Sequence, residues 1–567
     1  MTDKLDLSAI SSECQHTSYH LPQWDENGKC SWINIQLQRK SLNAEAKCIV
    51  PPTKVIPVIF IPGIMGTNLM SKNSDKKEIW RGDSLASVYW EWHSKGGRQR
   101  QQSLDPNTTI VDNRGNIEKE ILTPFSDDGC LFPSRKNRNW GAALGFSYGR
   151  FLNVFQAALL DDWQTELVNY EKKYSYRDPD TFEIQSVTLK YSGTVSKLVG
   201  KKFDTHEKES EEPLTPNEFN HFKRFLFPVH VFGYNWLQDN KISAESLKTY
   251  IDDVLKLYRE QHGYGLAQEK VILVTHSMGG LIARYTSQVL GMKEKILGII
   301  HGVIPDLGSP AAYRRMKVGA EGEGFLGTAG HVLGSTAEEL MPVLAQAPSA
   351  LQLLPSPKYR SPWLTITRFS IDNDVFYPKN HDPFSEIYLQ KDAWWRLYES
   401  DIIDKDKVTS ESNWFRYNLL MKNQVKSFIT ELATCEYHPN TYVFYGNKEK
   451  SDGKLIWNQV VSTANYSPHI GIRPPPTKHR RVLESGYPLQ EFQLTSSETP
   501  GDGTVPIESF DAIKSSCSIK SILATNVEHQ SAYEVASLSN ISDKPAIKFT
   551  LRAIAKMVKD IPSSESQ

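Results

Sequence analysis

The chain has 567 residues, a net charge of −1, a pI near 7.0 and 39% hydrophobic residues, among them 13 Trp, 24 Tyr and 23 Phe. That length exceeds what one simple core fills, so an elaborated domain or several units are expected. The balanced charge excludes nucleic acid as an expected partner, and with it purely electrostatic binding to an anionic membrane.

No run of about 18 apolar residues occurs, so no transmembrane helix is expected. Residues 1–50 are polar and mixed and read as an N-terminal extension, without the basic start and apolar stretch of a Sec-type signal. Val55-Ile-Pro-Val-Ile-Phe-Ile61 is a dense β-branched run closed by Pro62-Gly63, the pattern of a central parallel strand and a turn. Residues 71–225 lose the strand–helix rhythm except for a helical stretch over 149–172, and read as a first cap insertion. The rhythm resumes with a strand over 227–232, a helix over 243–262, a strand over 271–274 with its own helix, and a strand over 296–304. Such a series marks an α/β fold with a parallel sheet wound by helices.

Residues 311–440 depart again and read as a second cap or lid insertion. Thr441-Tyr-Val-Phe-Tyr445 returns to strand character, and 450–498 form a smaller insertion. The turn 501–506, a strand over 519–523 and a helix over 546–558 close the chain. The core is thus expected over 51–70, 226–310 and 441–560. Six cysteines without a Cys-x-x-Cys pair exclude a zinc framework and point to free, buried thiols.

Val271-Ile-Leu-Val-Thr-His-Ser-Met-Gly-Gly280 carries the chemistry. A strand, a tight turn and a helix are the setting of a nucleophile elbow, with Ser277 exposed at its tip. Residues two before and two after the serine must be small; Gly279 is, and Thr275 replaces the usual first glycine. A serine hydroxyl needs a base to take its proton and an acid to orient that base. In the order Ser, Asp, His, the acid is Asp502 in Pro500-Gly-Asp-Gly-Thr-Val-Pro506, and the base is His529, just after the strand 519–523. His276 is held in the elbow, His301 lies inside a strand, and His381 and His469 sit in insertions, so each fits worse.

Donors for a developing oxyanion are expected from the amide of Met278 and from Ile64 in Pro62-Gly-Ile-Met-Gly-Thr67, with Met65 as fallback. Apolar cap residues suit an acyl-chain pocket or lid: Phe325, Leu326, Leu333 and Leu340, with Trp80, Trp90, Trp92, Trp394 and Trp395 nearby. For most of them the cap's own core is the favoured reading. Asp372-Asn-Asp374 with His381-Asp382 is oxygen-rich but lacks EF-hand spacing, so neither metal nor cofactor is expected.

These motifs belong to an ordered series. Phe60-Ile-Pro-Gly-Ile-Met-Gly-Thr-Asn68, Phe232-Gly-Tyr-Asn-Trp236 and Thr275-His-Ser-Met-Gly279 are followed by Leu353-Leu-Pro355, Tyr442-Val-Phe-Tyr-Gly446 and Gly501-Asp-Gly-Thr-Val-Pro506. Together they resemble the landmarks of the lecithin:cholesterol acyltransferase and lysosomal phospholipase A family. Asp306-Leu-Gly-Ser-Pro310 is similar to a turn found after the elbow in many lipases. The resemblance implies an α/β-hydrolase fold and an acyl-ester hydrolase with its triad on Ser277, Asp502 and His529. The family's disulfides have no obvious counterpart here.

The layout also resembles bacterial lipase effectors delivered by type VI secretion: no Sec signal, large insertions, and Trp80-Arg81 followed by Asp105-Pro106. That resemblance implies phospholipid substrates at the membrane of a rival cell, with transient contact to its surface. It further implies an immunity protein that blocks the active site, and a secretion-spike component. The chain would be cytoplasmic in its producer and reach a target periplasm by a signal-independent route. An acyltransferase and a GPI inositol-deacylase-like esterase are alternatives on the same scaffold. A non-catalytic binding protein predicts a broken constellation, whereas all three candidate residues are present.

Overall fold

The β-branched runs become strands buried on both faces, as strands covered by helices on each side must be. The computed structural model describes residues 16–562, apart from 26–28, 33–34, 36–43, 83–91, 93, 124, 169–170, 178–183, 191–192, 203–212, 261–262, 321–333, 371–373, 404–409, 462–465, 468–470, 473–477 and 485–487. The strands that matter here are β1 (Val58–Ile61), β2 (Val229–Val231), β3 (Val271–His276), β4 (Ile296–Gly302), β5 (Leu364–Thr367) and β6 (Val375–Tyr377). They continue with β7 (Thr441–Gly446), β8 (Glu449–Val460), β9 (His479–Val482), β10 (Gln490–Gly501) and β11 (Ile519–Thr525). The helices are α1 (Arg150–Ala158), α2 (Asn240–Glu260), α3 (Gly279–Gln288), α4 (Pro310–Val318), α5 (Ala337–Leu344) and α6 (Pro545–Met557).

The central sheet has the order β2-β1-β3-β4-β7-β11, with every neighbouring pair parallel. Helix α3 packs on β1, β3 and β4, α2 packs on α3, and α6 lies against β4, β7 and β11. This is the expected α/β-hydrolase architecture. The chain leaves β1 to one side for β2 and returns on the other for β3, so a crevice opens beyond the C-terminal ends of β1 and β3. Register brings the other strand ends to the same edge: Ile61 faces Thr275, His276 faces Gly302, and Gly446 faces Thr525.

A second sheet, β6-β5-β8-β10-β9, draws strands from both 311–440 and 450–498. The long β8–β10 hairpin runs from Val460 opposite Glu491 back to Glu449 opposite Gly501. It therefore leaves the central sheet after β7 and returns beside its own start, delivering Asp502 to the active edge. Trp394 stacks on Phe492 at 4.5 Å and meets Trp457 edge-on at 5.5 Å. In the first cap, Trp80 packs with Trp92 and Trp236 at 5.6 and 5.2 Å. These aromatics form cap core.

The helical stretch expected over 149–172 is split. After α1, Asp161 and Asp162 begin a new helix and turn their carboxylates to the amides of Thr194, Val195 and Ser196. The five described cysteines form no disulfide, and Cys48, Cys130 and Cys517 are exposed rather than buried as expected. Cys48 and Cys130 lie outside the central sheet, and Cys517 lies in the turn before β11, so none of these three faces the helix-covered core. Among the described residues, no helix is long and apolar enough to cross a membrane.

Candidate active site

Strand β3 ends at His276, and the next residue, Ser277, takes the left-handed φ of +52°. A side chain there is strained, and the surroundings hold it: the Ser277 amide donates to Gly302 at 2.9 Å, and its carbonyl accepts from Gly280 at 2.9 Å. Gly279 has no room for more than hydrogen, since a Cβ would stand 2.6 Å from the carbonyl oxygens of both Ile61 and Pro62. The larger Thr275 is accommodated because it is fully buried with its hydroxyl 3.3 Å from the Ile300 carbonyl and 3.2 Å from His301 Nδ1. Gly279→Ala should lower stability by roughly 2–3 kcal/mol, because the backbone carbonyls opposite cannot yield as a side chain would. A urea midpoint equal to wild type contradicts that close approach.

His529 Nε2 lies 2.8 Å from Ser277 Oγ, and its Nδ1 lies 2.8 Å from Asp502 Oδ2. A carboxylate only accepts, so Nδ1 carries the proton and Nε2 is free to accept from the serine hydroxyl. The other Asp502 oxygen accepts from the amides of Thr504 at 3.0 Å and Val505 at 2.6 Å. Its backbone carbonyl accepts from the His529 amide at 2.8 Å. Asp502 is fully buried, Ser277 is 4% exposed and His529 8%. The three residues that the sequence singled out thus form one hydrogen-bonded row, drawn from the ends of β3, β10 and β11. Ser309, at the start of α4, braces the Asp502 loop by donating to the Thr504 carbonyl at 2.7 Å.

The loop after β1 lies against the elbow: a Cβ on Gly63 would stand 3.0 Å from His276 Nδ1 and 3.1 Å from Ser277 Cβ. Its turn closes with the Gly66 amide on the Gly63 carbonyl at 3.0 Å, and Met65 takes φ +63°. Trp80 of the first cap donates from Nε1 to the Met65 carbonyl at 2.9 Å. Among the described residues, the amides of Ile64, Met65 and Met278 have no acceptor. Met278 immediately precedes α3, whose N-terminal dipole favours negative charge at this point.

Of the expected lid residues, Phe325, Leu326 and Leu333 lie outside the described residues, as do Trp90, Asp372 and Asn373. Leu340 is buried on α5, which packs against α4 and the helix Gly97–Ser103. The carboxylates of Asp374 and Asp382 accept from the amides of Arg368 and Phe384. Sequence reasoning missed Tyr148, whose hydroxyl lies 2.7 Å from His276 Nδ1. It comes from a cap insertion and carries no motif.

Three fully buried histidines are held below the ordinary imidazole range, above all by burial. His276 and His301 are lowered to about 3, helped by His529 and Arg284 respectively, and His230 is lowered with help from Arg138. In the unfolded chain each takes up a proton below about pH 6.5. Their contribution is therefore complete above that pH and is lost as pH falls, for His276 and His301 towards about 3, at roughly 1.4 kcal/mol per pH unit for each ring. Urea midpoints should drop steeply between about pH 6.5 and 4.5. A flat profile contradicts buried neutral rings.

Comparison with known proteins agrees with this architecture. Residues 236–326, which carry α2, β3, the elbow and β4, match the family described as the PGAP1-like alpha/beta domain. The chain is similar to one in the crystal structure of the Tle4–Tli4 complex, at 28% identity and a TM-score of 0.70, covering 90% of this chain and 100% of that one. No curated protein matches the chain. Sheet order, elbow and these two likenesses give the chain the α/β-hydrolase fold that its sequence resembles.

Proposed function

We propose that the chain is a serine ester hydrolase that cleaves acyl esters of membrane phospholipids through an acyl-enzyme. The observation that carries this reading is the row Ser277–His529–Asp502 at the C-terminal edge of the sheet, with both bonds at 2.8 Å. Ser277 Oγ attacks the ester carbonyl as His529 Nε2 takes its proton, and Asp502 stabilises the imidazolium that forms. His529 then gives the proton to the departing alcohol. Water then gives a proton to the same nitrogen as its oxygen bonds to the acyl carbon, and His529 returns that proton to Ser277 Oγ as the bond to the fatty acid breaks. The amides of Met278 and Ile64 are the proposed donors to the oxyanion, a role that suits their lack of other acceptors.

The proposed setting is an effector delivered to a rival cell by type VI secretion, with an immunity protein as partner. The similar chain was solved as part of a two-protein complex, which supports a dedicated protein partner here. The match to a PGAP1-like domain favours one second reading on the same chemistry, an inositol-linked acyl ester as substrate. Phospholipid vesicles incubated with the protein should release free fatty acid and lysophospholipid, read by mass spectrometry. Release from an acyl-inositol lipid with none from vesicles would move the assignment to the second reading. Release from neither, with detergent present, would sink both.

A further inference from the structure

His276 takes no part in the proton transfers assigned to Ser277 and His529, yet its ring joins three loops. Nε2 lies 2.8 Å from the backbone carbonyl of His529. A carbonyl only accepts, so Nε2 carries the proton and Nδ1 must be an acceptor. At 2.7 Å from Nδ1 stands the Tyr148 hydroxyl, which donates to it and itself accepts the Gly63 amide at 3.2 Å. Both side chains are buried at 5% exposure. Burial holds the His276 ring neutral, which keeps that one acceptor available. The base loop, the elbow and the turn after β1 are thus tied by one directional chain of donors.

We propose that His276 and Tyr148 are positioning residues that hold the His529 loop and the Gly63–Gly66 turn in register with Ser277. The inference rests on Ser277 acting as the nucleophile. The backbone of His529 is fixed at two points: its amide donates to Asp502, and its carbonyl accepts from His276. Removing the second frees the loop to tilt the imidazole away from the serine hydroxyl. A displacement near 1 Å in such a pair costs on the order of 100-fold in rate.

Two substitutions of the same ring separate the roles. In His276→Gln the amide nitrogen reaches the place of Nε2 and keeps the donor to His529. In His276→Asn it stops near Nδ1 and loses that donor. The full chain should show kcat lowered about 30–100-fold in H276N with KM within about 2-fold, while H276Q keeps a third or more of wild-type kcat. Tyr148→Phe should fall between, at about 10-fold. Labelling of Ser277 by a fluorophosphonate should slow in the same order, since it reads the nucleophile without substrate binding. Equal rates for the Gln and Asn variants, whether both full or both lost, overturn the inference. Should H276N fail to fold, wild-type activity in Y148F overturns it instead. A wild-type chain that resists the reagent sinks the nucleophile reading itself, whereas a labelled wild type with an equally labelled H276N sinks this inference alone.

Discussion

Replacing Ser277 with alanine should lower ester hydrolysis by roughly 10⁴–10⁶-fold while the chain stays folded. Among the described residues the side chain's one hydrogen bond is to His529, so its loss costs only about 1 kcal/mol of stability. The strained φ of +52° stays where it is, because the backbone bonds to Gly302 and Gly280 set it. What vanishes is the oxygen proposed to become acylated. His276 points the other way, towards Tyr148 and the His529 carbonyl. Turnover of a p-nitrophenyl ester and of phospholipid vesicles, with a thermal melt as the folding control, checks this. Activity above a tenth of wild type in a folded S277A chain would remove Ser277 from the mechanism.

Asp502→Asn should cost about 10⁴-fold in kcat, with little change in KM. The reason lies in how the carboxylate is held. Oδ1 sits in a slot made by the amides of Thr504 and Val505, which only donate. Asparagine must place its oxygen there, so its NH2 faces His529 Nδ1. The imidazole then becomes an acceptor at Nδ1 and carries its proton on Nε2, where it cannot take one from Ser277. The variant should recover partly at high pH, where serine ionises more readily without a base. Activity within 10-fold of wild type at neutral pH would mean that Asp502 does not set the tautomer.

The sequence made the local parts of this site legible because each depends on a few adjacent residues. A buried β-branched strand, a small residue at Gly279 and a following helix define the elbow within ten positions. Gly501 and Gly503 likewise announce a turn that presents a carboxylate. Contacts between distant segments were not legible. Tyr148 meets His276 across 128 positions from an insertion without periodicity. The pairing of β5 with β8 joins two insertions that read as separate, because strand partners leave no local trace in either strand. Thr275 marks the boundary between the two cases. Its size is visible in the sequence, while the hydroxyl's partners on β4 are not.

In the proposed mechanism Ser277, activated by His529, attacks the acyl carbon. Peptide mapping after treatment with a fluorophosphonate tests it most directly, since the reagent forms a stable adduct only on an activated serine. One adduct is expected, on the peptide carrying Ser277, formed rapidly in wild type and hardly at all in D502N. An esterase-active wild type whose adduct falls on another residue, or which carries none with detergent present, would contradict it.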